Sequence, residues 1–335
     1  MALLEVEDLR VSFDTPDGVV RAVRGLSFTL AAGSTLGLVG ESGSGKSVAV
    51  QTLTRLTRGA TVEGSVRLDG VDLLTAGEEE LREVRGARIG MIFQDPLSSL
   101  HPYHRVGWQI EEIIRAHEPS TTRAQASGRA AELLDLVGIP QARARLDDYP
   151  HQFSGGMRQR VMIAMAMALS PQVLIADEPT TALDVTVQAQ VLDVMRRLQE
   201  DFGTAIIMVT HDLGVVAELA DDVVVMYAGA AMERAPRREL FYRYHHPYTE
   251  GLLTSLPVRG EAKGRLRPIP GTPPSLIGLP PGCPFAPRCR YAFDRCWVEA
   301  PPLAGVLHDP RHLSACWLPV DRPRRESLEH PEEAA

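Results

Sequence analysis

One octapeptide constrains this chain more than anything else in it. Gly40-Glu41-Ser42-Gly43-Ser44-Gly45-Lys46-Ser47 follows the short apolar run Thr35–Val39 and opens a helical pattern. Glycines at that spacing let successive backbone N–H groups turn inward on phosphate oxygens, and the following helix adds its N-terminal partial positive charge. The pattern GxxxxGK[ST] assigns Lys46 to the β- and γ-phosphates and Ser47 to Mg²⁺. The lysine is not filler: of 35 basic residues only Lys46 and Lys263 are lysines. A phosphate loop of this kind requires a strand before it and a helix after it, so an α/β fold with a central sheet is expected.

The pattern along the chain agrees. Ile89–Phe93, Val173–Ala176, Ala205–Val209 and Val223–Tyr227 are further buried-strand candidates, each bounded by polar or turn residues. Trp108–Ala116 and Ala124–Val137 have helical periodicity, marking a helical insertion between about 97 and 160. The α/β domain is expected to occupy 1–255. From Leu256 the composition changes, with 15 of the 25 prolines between Pro257 and the C-terminus. Proline fixes φ and removes a donor, so an extension over 256–320 needs staples or a surface to lie on. Residues 321–335 read as a disordered tail.

Composition excludes several classes. The balance of 43 acids against 35 bases, net −8, argues against a nucleic-acid binder. The longest apolar run, Val161–Leu169, is far short of the ~20 residues a membrane span needs, and the acidic start MALLEVEDLR is not that of a signal peptide.

A second acidic element completes the nucleotide site. Val173-Leu174-Ile175-Ala176-Asp177-Glu178 is an apolar strand ending in two carboxylates. Asp177 is placed to hold Mg²⁺ through water, and Glu178 to orient and polarise an attacking water. Ser154-Gly155-Gly156, with Gln159 18 residues before Asp177, forms another anion-binding helix start, one that the chain's own phosphate loop does not need. A nucleotide shared between two copies of such a domain would use both.

On these residues the chain resembles the ATP-binding subunits of ABC transporters, here with Phe153-Ser154-Gly155-Gly156-Met157 in place of the usual LSGGQ signature. The resemblance implies an ABC-type nucleotide-binding domain with a helical subdomain, and roles for further residues. Gln94 matches the Q-loop glutamine that touches Mg²⁺ and water; Ala182-Leu183-Asp184 matches the D-loop; His211 matches the switch histidine facing the γ-phosphate. Phe13 matches the aromatic that stacks on adenine, with core packing an equal reading of that residue.

The C-terminal part narrows the resemblance. His246-Pro247-Tyr248-Thr249, Ile269-Pro270-Gly271-Thr272-Pro273-Pro274 and the four cysteines Cys283, Cys289, Cys296 and Cys316 resemble the extension of oligopeptide/dipeptide (and related nickel) importer ATPases. Such a subunit would power import from the cytoplasmic face of the membrane. Its expected partners are a second, non-identical ATPase subunit, two transmembrane permease subunits and, indirectly, an extracytoplasmic binding protein. Nickel or another small solute is an alternative cargo. A soluble ABC ATPase acting on DNA or ribosomes is disfavoured by the acidic balance and the single ATPase domain. Four thiolates suit Zn²⁺, a [4Fe–4S] cluster, or no metal at all; the gaps of 5, 6 and 19 residues do not form paired zinc knuckles. The resemblance implies the iron–sulfur cluster, stapling a segment that lacks its own core.

Overall fold

The computed structural model describes residues 2–181, 183–255, 268–306 and 309–319. The expected tail 321–335, Ala182 of the D-loop tripeptide, and Pro257 and Lys263 lie outside the described residues.

Two long strands, β1 (Ala2–Thr15) and β2 (Gly18–Ala31), form an antiparallel hairpin. β3 (Thr35–Val39) then feeds the glycine-rich turn, and α1 (Lys46–Leu53) follows it. β4 (Thr61–Leu68) and β5 (Val71–Asp72) complete a four-stranded antiparallel sheet in the order β2-β1-β4-β5. The sequence reading held only one central sheet; this second one is a correction. Its strands alternate inward apolar and outward polar residues, as at Leu4 and Val6 and, after a register shift, at Leu9 and Val11, and carry none of the continuous apolar runs that mark a doubly covered strand.

After α2 (Glu78–Val84) the chain enters the main sheet with β6 (Ile89–Ile92), one residue shorter than expected, leaving Phe93 exposed. The helical insertion follows: α3 (Pro96–Ser99), α4 (Val106–His117), α5 (Arg123–Leu136), α6 (Ala142–Arg145) and α7 (Gly155–Ala166). β7 (Val173–Asp177), α8 (Val185–Phe202), β8 (Ala205–Thr210), α9 (Leu213–Leu219), β9 (Asp222–Tyr227) and β10 (Ala230–Pro236) finish the layer. β3, β6, β7, β8 and β9 are parallel, and β10 turns back antiparallel on β9.

The period of two along these strands sorts their side chains between cores. Val173, Ile175, Ile207 and Val209 face the antiparallel sheet and α1. Leu174, Ala176, Ile206 and Met208 face the helical insertion and α8. A third core gathers Val223, Val225 and Tyr227 of β9 with Tyr248, Cys283 and Phe285.

That third core changes the meaning of the expected boundary at 255. α10 (Arg237–Arg243) and α11 (Pro247–Thr254) pack on β9 and β10, and the following segment packs on them. After the short α12 (Asp294–Val298), β11 (Ala304–Gly305) and β12 (Leu313–Ser314) extend the main sheet at its β10 edge, giving β11-β12-β10-β9-β3-β8-β7-β6. Earlier in the extension, Leu276 O accepts a hydrogen bond from Arg21 N–H of β2 at 3.2 Å. Two-residue edge strands and loops are what a proline-rich segment can form. Among the described residues, no helix is long and apolar enough to cross a membrane.

Candidate nucleotide-binding site

The phosphate loop leaves β3 at the C-terminal edge of the parallel sheet. Gly40 adopts φ 155° and Gly45 φ 97°. A Cβ on Gly40 would sit 2.1 Å from Met226 O, and one on Gly45 2.2 Å from Ala22 O, so both positions require glycine for space as well as conformation. Lys46, 4% exposed, crosses the loop. Its Nζ donates to Gly40 O at 2.7 Å, Glu41 O at 2.9 Å and Ser44 Oγ at 3.4 Å. Burial lowers its pKa, while Glu178, Asp177 and Glu41 oppose the shift.

Ser47 Oγ donates to Asp177 Oδ1 at 2.8 Å, so residues 130 positions apart form one pair of hard oxygen donors. Asp177 shares the parity of Val173 and Ile175, which aims it at α1 and Ser47. Burial first, and the neighbouring Glu178 charge, raise its pKa, against the hydrogen bond from Ser47 and the charge of Lys46. A hydroxyl beside a carboxylate is a pair of hard oxygen donors that suits Mg²⁺.

Glu178 lies just past the strand and takes φ 51°, a conformation rare for a side chain of its size. Its N–H donates to Val209 O at 2.9 Å, which locks the turn to β8. The carboxylate then meets three groups from three segments. Gln94 Nε2 donates to Oε2 at 3.1 Å, Thr181 Oγ1 donates to the same oxygen at 2.8 Å, and His211 Nδ1 stands 3.4 Å from Oε1. Thr181 escaped the sequence reading; its position three residues after Glu178 in a turn was the available signal.

The remaining expected residues are placed as follows. Ser154 caps α7, its Oγ accepting from Met157 N–H at 3.3 Å. Ser154 and Gly155 are exposed, and nothing lies within 4 Å of a Cβ built on Gly155. That helix start is open to an approaching anion. Gly156 is closed on its other side, since a Cβ there would meet Val187 Cγ1 at 2.3 Å. Asp184 caps α8, accepting from Val187 N–H at 3.0 Å. Phe13 pairs with Val20 across the hairpin and packs, partly buried, against the core between the sheets. Glu41 is turned away from the loop's interior: its carboxylate binds Arg288, and its N–H donates to the Tyr248 hydroxyl.

A phosphate loop, a strand-end Asp–Glu pair, a glutamine and histidine converging on that glutamate, and an exposed Ser-Gly-Gly helix start define an ATP-binding cassette of the ABC type. The ABC transporter family model matches residues 23–181, and the model of the oligopeptide/dipeptide transporter C-terminal region matches 232–296. The chain belongs to the oligopeptide/dipeptide transport ATP-binding proteins. It is 52% identical to the oligopeptide transport ATP-binding protein OppD of Salmonella typhimurium over 95% of this chain and 94% of that protein. It is 50% identical to OppD of Bacillus subtilis over 98% and 92% respectively. The dipeptide transport ATP-binding protein DppD of Lactococcus lactis is 49% identical, over 94% of this chain and 90% of the other. Among solved structures, the dimeric ATP-binding cassette MJ0796 bound to ADP and Pi superposes with a TM-score of 0.64 at 25% identity, covering 70% of this chain and 99% of that one.

All four cysteines line one small cavity, closed by Phe285, Ala286, Pro247, Pro301, Trp317 and Leu318. None is in a disulfide. Burial pushes the Cys283 thiol up to about 11, and nearby Cys289 and Cys296 add to the shift. Among the described residues, no three His, Cys, Asp or Glu side chains are grouped to hold a single metal ion.

Proposed function

We propose that this chain hydrolyses ATP to drive peptide import through a membrane ABC transporter, working peripherally at the cytoplasmic face. The observation that carries the reaction is the setting of Glu178, one residue beyond the Asp177–Ser47 pair and held by Gln94, Thr181 and His211. Mg²⁺, held by Ser47, Asp177 and Gln94, would neutralise charge on the β- and γ-phosphates. Lys46 supplies positive charge from the buried side of the loop. Glu178 accepts a hydrogen bond from the attacking water and aligns it with the γ-phosphate, and His211 stabilises the charge that develops there. Hydrolysis of this kind depends on positioning, which Glu178's constrained backbone and three side-chain contacts provide.

The open Ser154–Gly156 helix start supports a composite site, in which a second, related ATPase subunit presents that terminus to this chain's γ-phosphate. Two permease subunits would read the closing and opening, and an extracytoplasmic binding protein would deliver the peptide. Glu178→Gln keeps the shape and removes the base. It should bind ATP normally, lose about 10²–10⁴-fold in turnover and accumulate a nucleotide-dependent dimer in size-exclusion chromatography. Normal hydrolysis by that variant would remove Glu178 from the role. Stimulation of the reconstituted transporter by peptide, and not by a nickel chelate, tests the cargo.

The cysteine cavity supports a [4Fe–4S] cluster. Here all four cysteines line one cavity, so that four thiolates from one segment can reach a common group. A thiol with the raised pKa of Cys283 stays protonated at neutral pH unless a cationic centre claims it. The cluster would cross-link the extension and take no part in hydrolysis. Anaerobically purified protein should contain about four irons and four sulfides per chain; stoichiometric zinc instead would refute the assignment.

A further inference from the structure

The C-terminal extension touches the phosphate loop directly, at Glu41. Arg288, between Cys283 and Cys289, has only 5% of its side chain exposed. Its Nη1 and Nη2 donate to the two Glu41 carboxylate oxygens at 2.6 and 2.9 Å. The other donors are also used: Nε to Pro270 O at 2.9 Å, Nη1 to Tyr227 Oη at 3.2 Å and Nη2 to Ile269 O at 3.3 Å. Its guanidinium lies over the rings of Tyr227 and Phe285. Tyr248, fully buried at the start of α11, accepts the Glu41 N–H at 2.8 Å. With Lys46 on its carbonyl, Glu41 is fixed through all three of its polar groups.

We propose that Arg288 and Tyr248 are positioning residues of the ATP site, through which the cysteine-bearing extension sets the phosphate loop's geometry and charge. Two physical effects make this arrangement consequential. A loop with three glycines has much conformational freedom to lose on binding, and anchoring its second residue reduces that cost. A carboxylate beside a site for polyphosphate repels the ligand unless a cation neutralises it, and Arg288 is the cation that does so. A buried bidentate pair adds little net stability by itself, but it fixes geometry well. Sites linked in this way respond to each other reciprocally, so nucleotide binding should in turn steady the extension.

The inference rests on the phosphate-loop reading, and binding of the fluorescent analogue MANT-ATP to the full-length chain separates the two. Failure of the wild type to bind would refute the phosphate loop; the variants address the clamp. Arg288→Gln should raise the Kd about tenfold. Adding Glu41→Gln to it removes the uncompensated charge and should bring affinity back toward wild type. Tyr248→Phe, which deletes only a hydroxyl, should raise the Kd about threefold, and Arg288→Lys should fall between wild type and Arg288→Gln. In the ATPase assay the loss should appear in KM, with kcat changed less. A merely structural arginine would lower the melting temperature and leave the Kd of the folded protein unmoved. Wild-type affinity in Arg288→Gln overturns the proposal, as does a double variant that binds no tighter than Arg288→Gln. If Arg288→Gln does not fold, wild-type affinity in both Arg288→Lys and Tyr248→Phe overturns it.

Discussion

Replacing Glu233 by alanine should loosen the C-terminal region from the ATPase core. Glu233 lies in β10, 0% exposed, and its carboxylate accepts three hydrogen bonds. They come from His245 N–H at 2.5 Å, His246 N–H at 3.1 Å and His312 Nε2 at 2.7 Å. Facing a carboxylate, His312 must carry its proton on Nε2. The three donors belong to the turn before α11 and to the loop before β12, so one side chain ties two segments to the sheet edge. Each buried donor left without a partner costs about 1–3 kcal/mol, so three orphaned donors cost at least about 3 kcal/mol in all. At ~2–4 °C per kcal/mol, Glu233→Ala should lower Tm by roughly 10 °C. Differential scanning fluorimetry measures this, and limited proteolysis should show earlier cleavage after residue 300.

The pH dependence carries the sign of the effect. Burial alone raises the Glu233 pKa, but the hydrogen bonds from His312 and the backbone outweigh it and hold the group below the usual carboxylate range. The stability it contributes is therefore complete above the unfolded value of about 4.3 and is lost as pH falls through the lower folded value. The Tm gap between wild type and Glu233→Ala should stay constant above about pH 5 and narrow only in stronger acid. A gap under 2 °C at pH 7 would refute the reasoning, because the three donors would then have found other partners at little cost.

Two substitutions test the phosphate loop. Lys46→Ala removes the ammonium that bridges Gly40 O and Glu41 O, and should abolish measurable ATP binding by isothermal titration; unchanged affinity would remove Lys46 from the site. Gly40→Ala places a methyl 2.1 Å from the backbone of Met226 and should cost at least ~2 kcal/mol of stability together with most ATPase activity, read by thermal melting and phosphate release.

Local chemistry made the nucleotide site legible. Gly40, Gly45, Lys46 and Ser47 lie within one octapeptide, and the strand Val173–Asp177 announces itself by four successive apolar residues before Asp177. Lys46 and Asp177 stand at the ends of that loop and strand, so the sequence alone predicts that they meet at one site. The convergence of Gln94, Thr181 and His211 on Glu178 was only partly legible, because it depends on three connections meeting at one sheet edge. The antiparallel sheet was missed because alternation in β1 and β2 is a weaker signal than a continuous apolar run.

The extension is where tertiary structure decided most. Proline content foretold that it would be mostly neither helix nor central strand, and among the described residues it forms one five-residue α-helix and two two-residue edge strands. Nothing in Arg288, one of 33 arginines, distinguished it from a solvated surface charge. Its meaning comes from Glu41, 247 residues earlier, and from the aromatic walls of Tyr227 and Phe285. Glu233 is likewise an ordinary strand residue until His245, His246 and His312 are folded around it. Short-range geometry is written in residue order, because backbone spacing determines which groups can meet. Pairings across hundreds of residues are set by packing, which brings a charge and its partner out of water together only once the sheet edge and the extension have met.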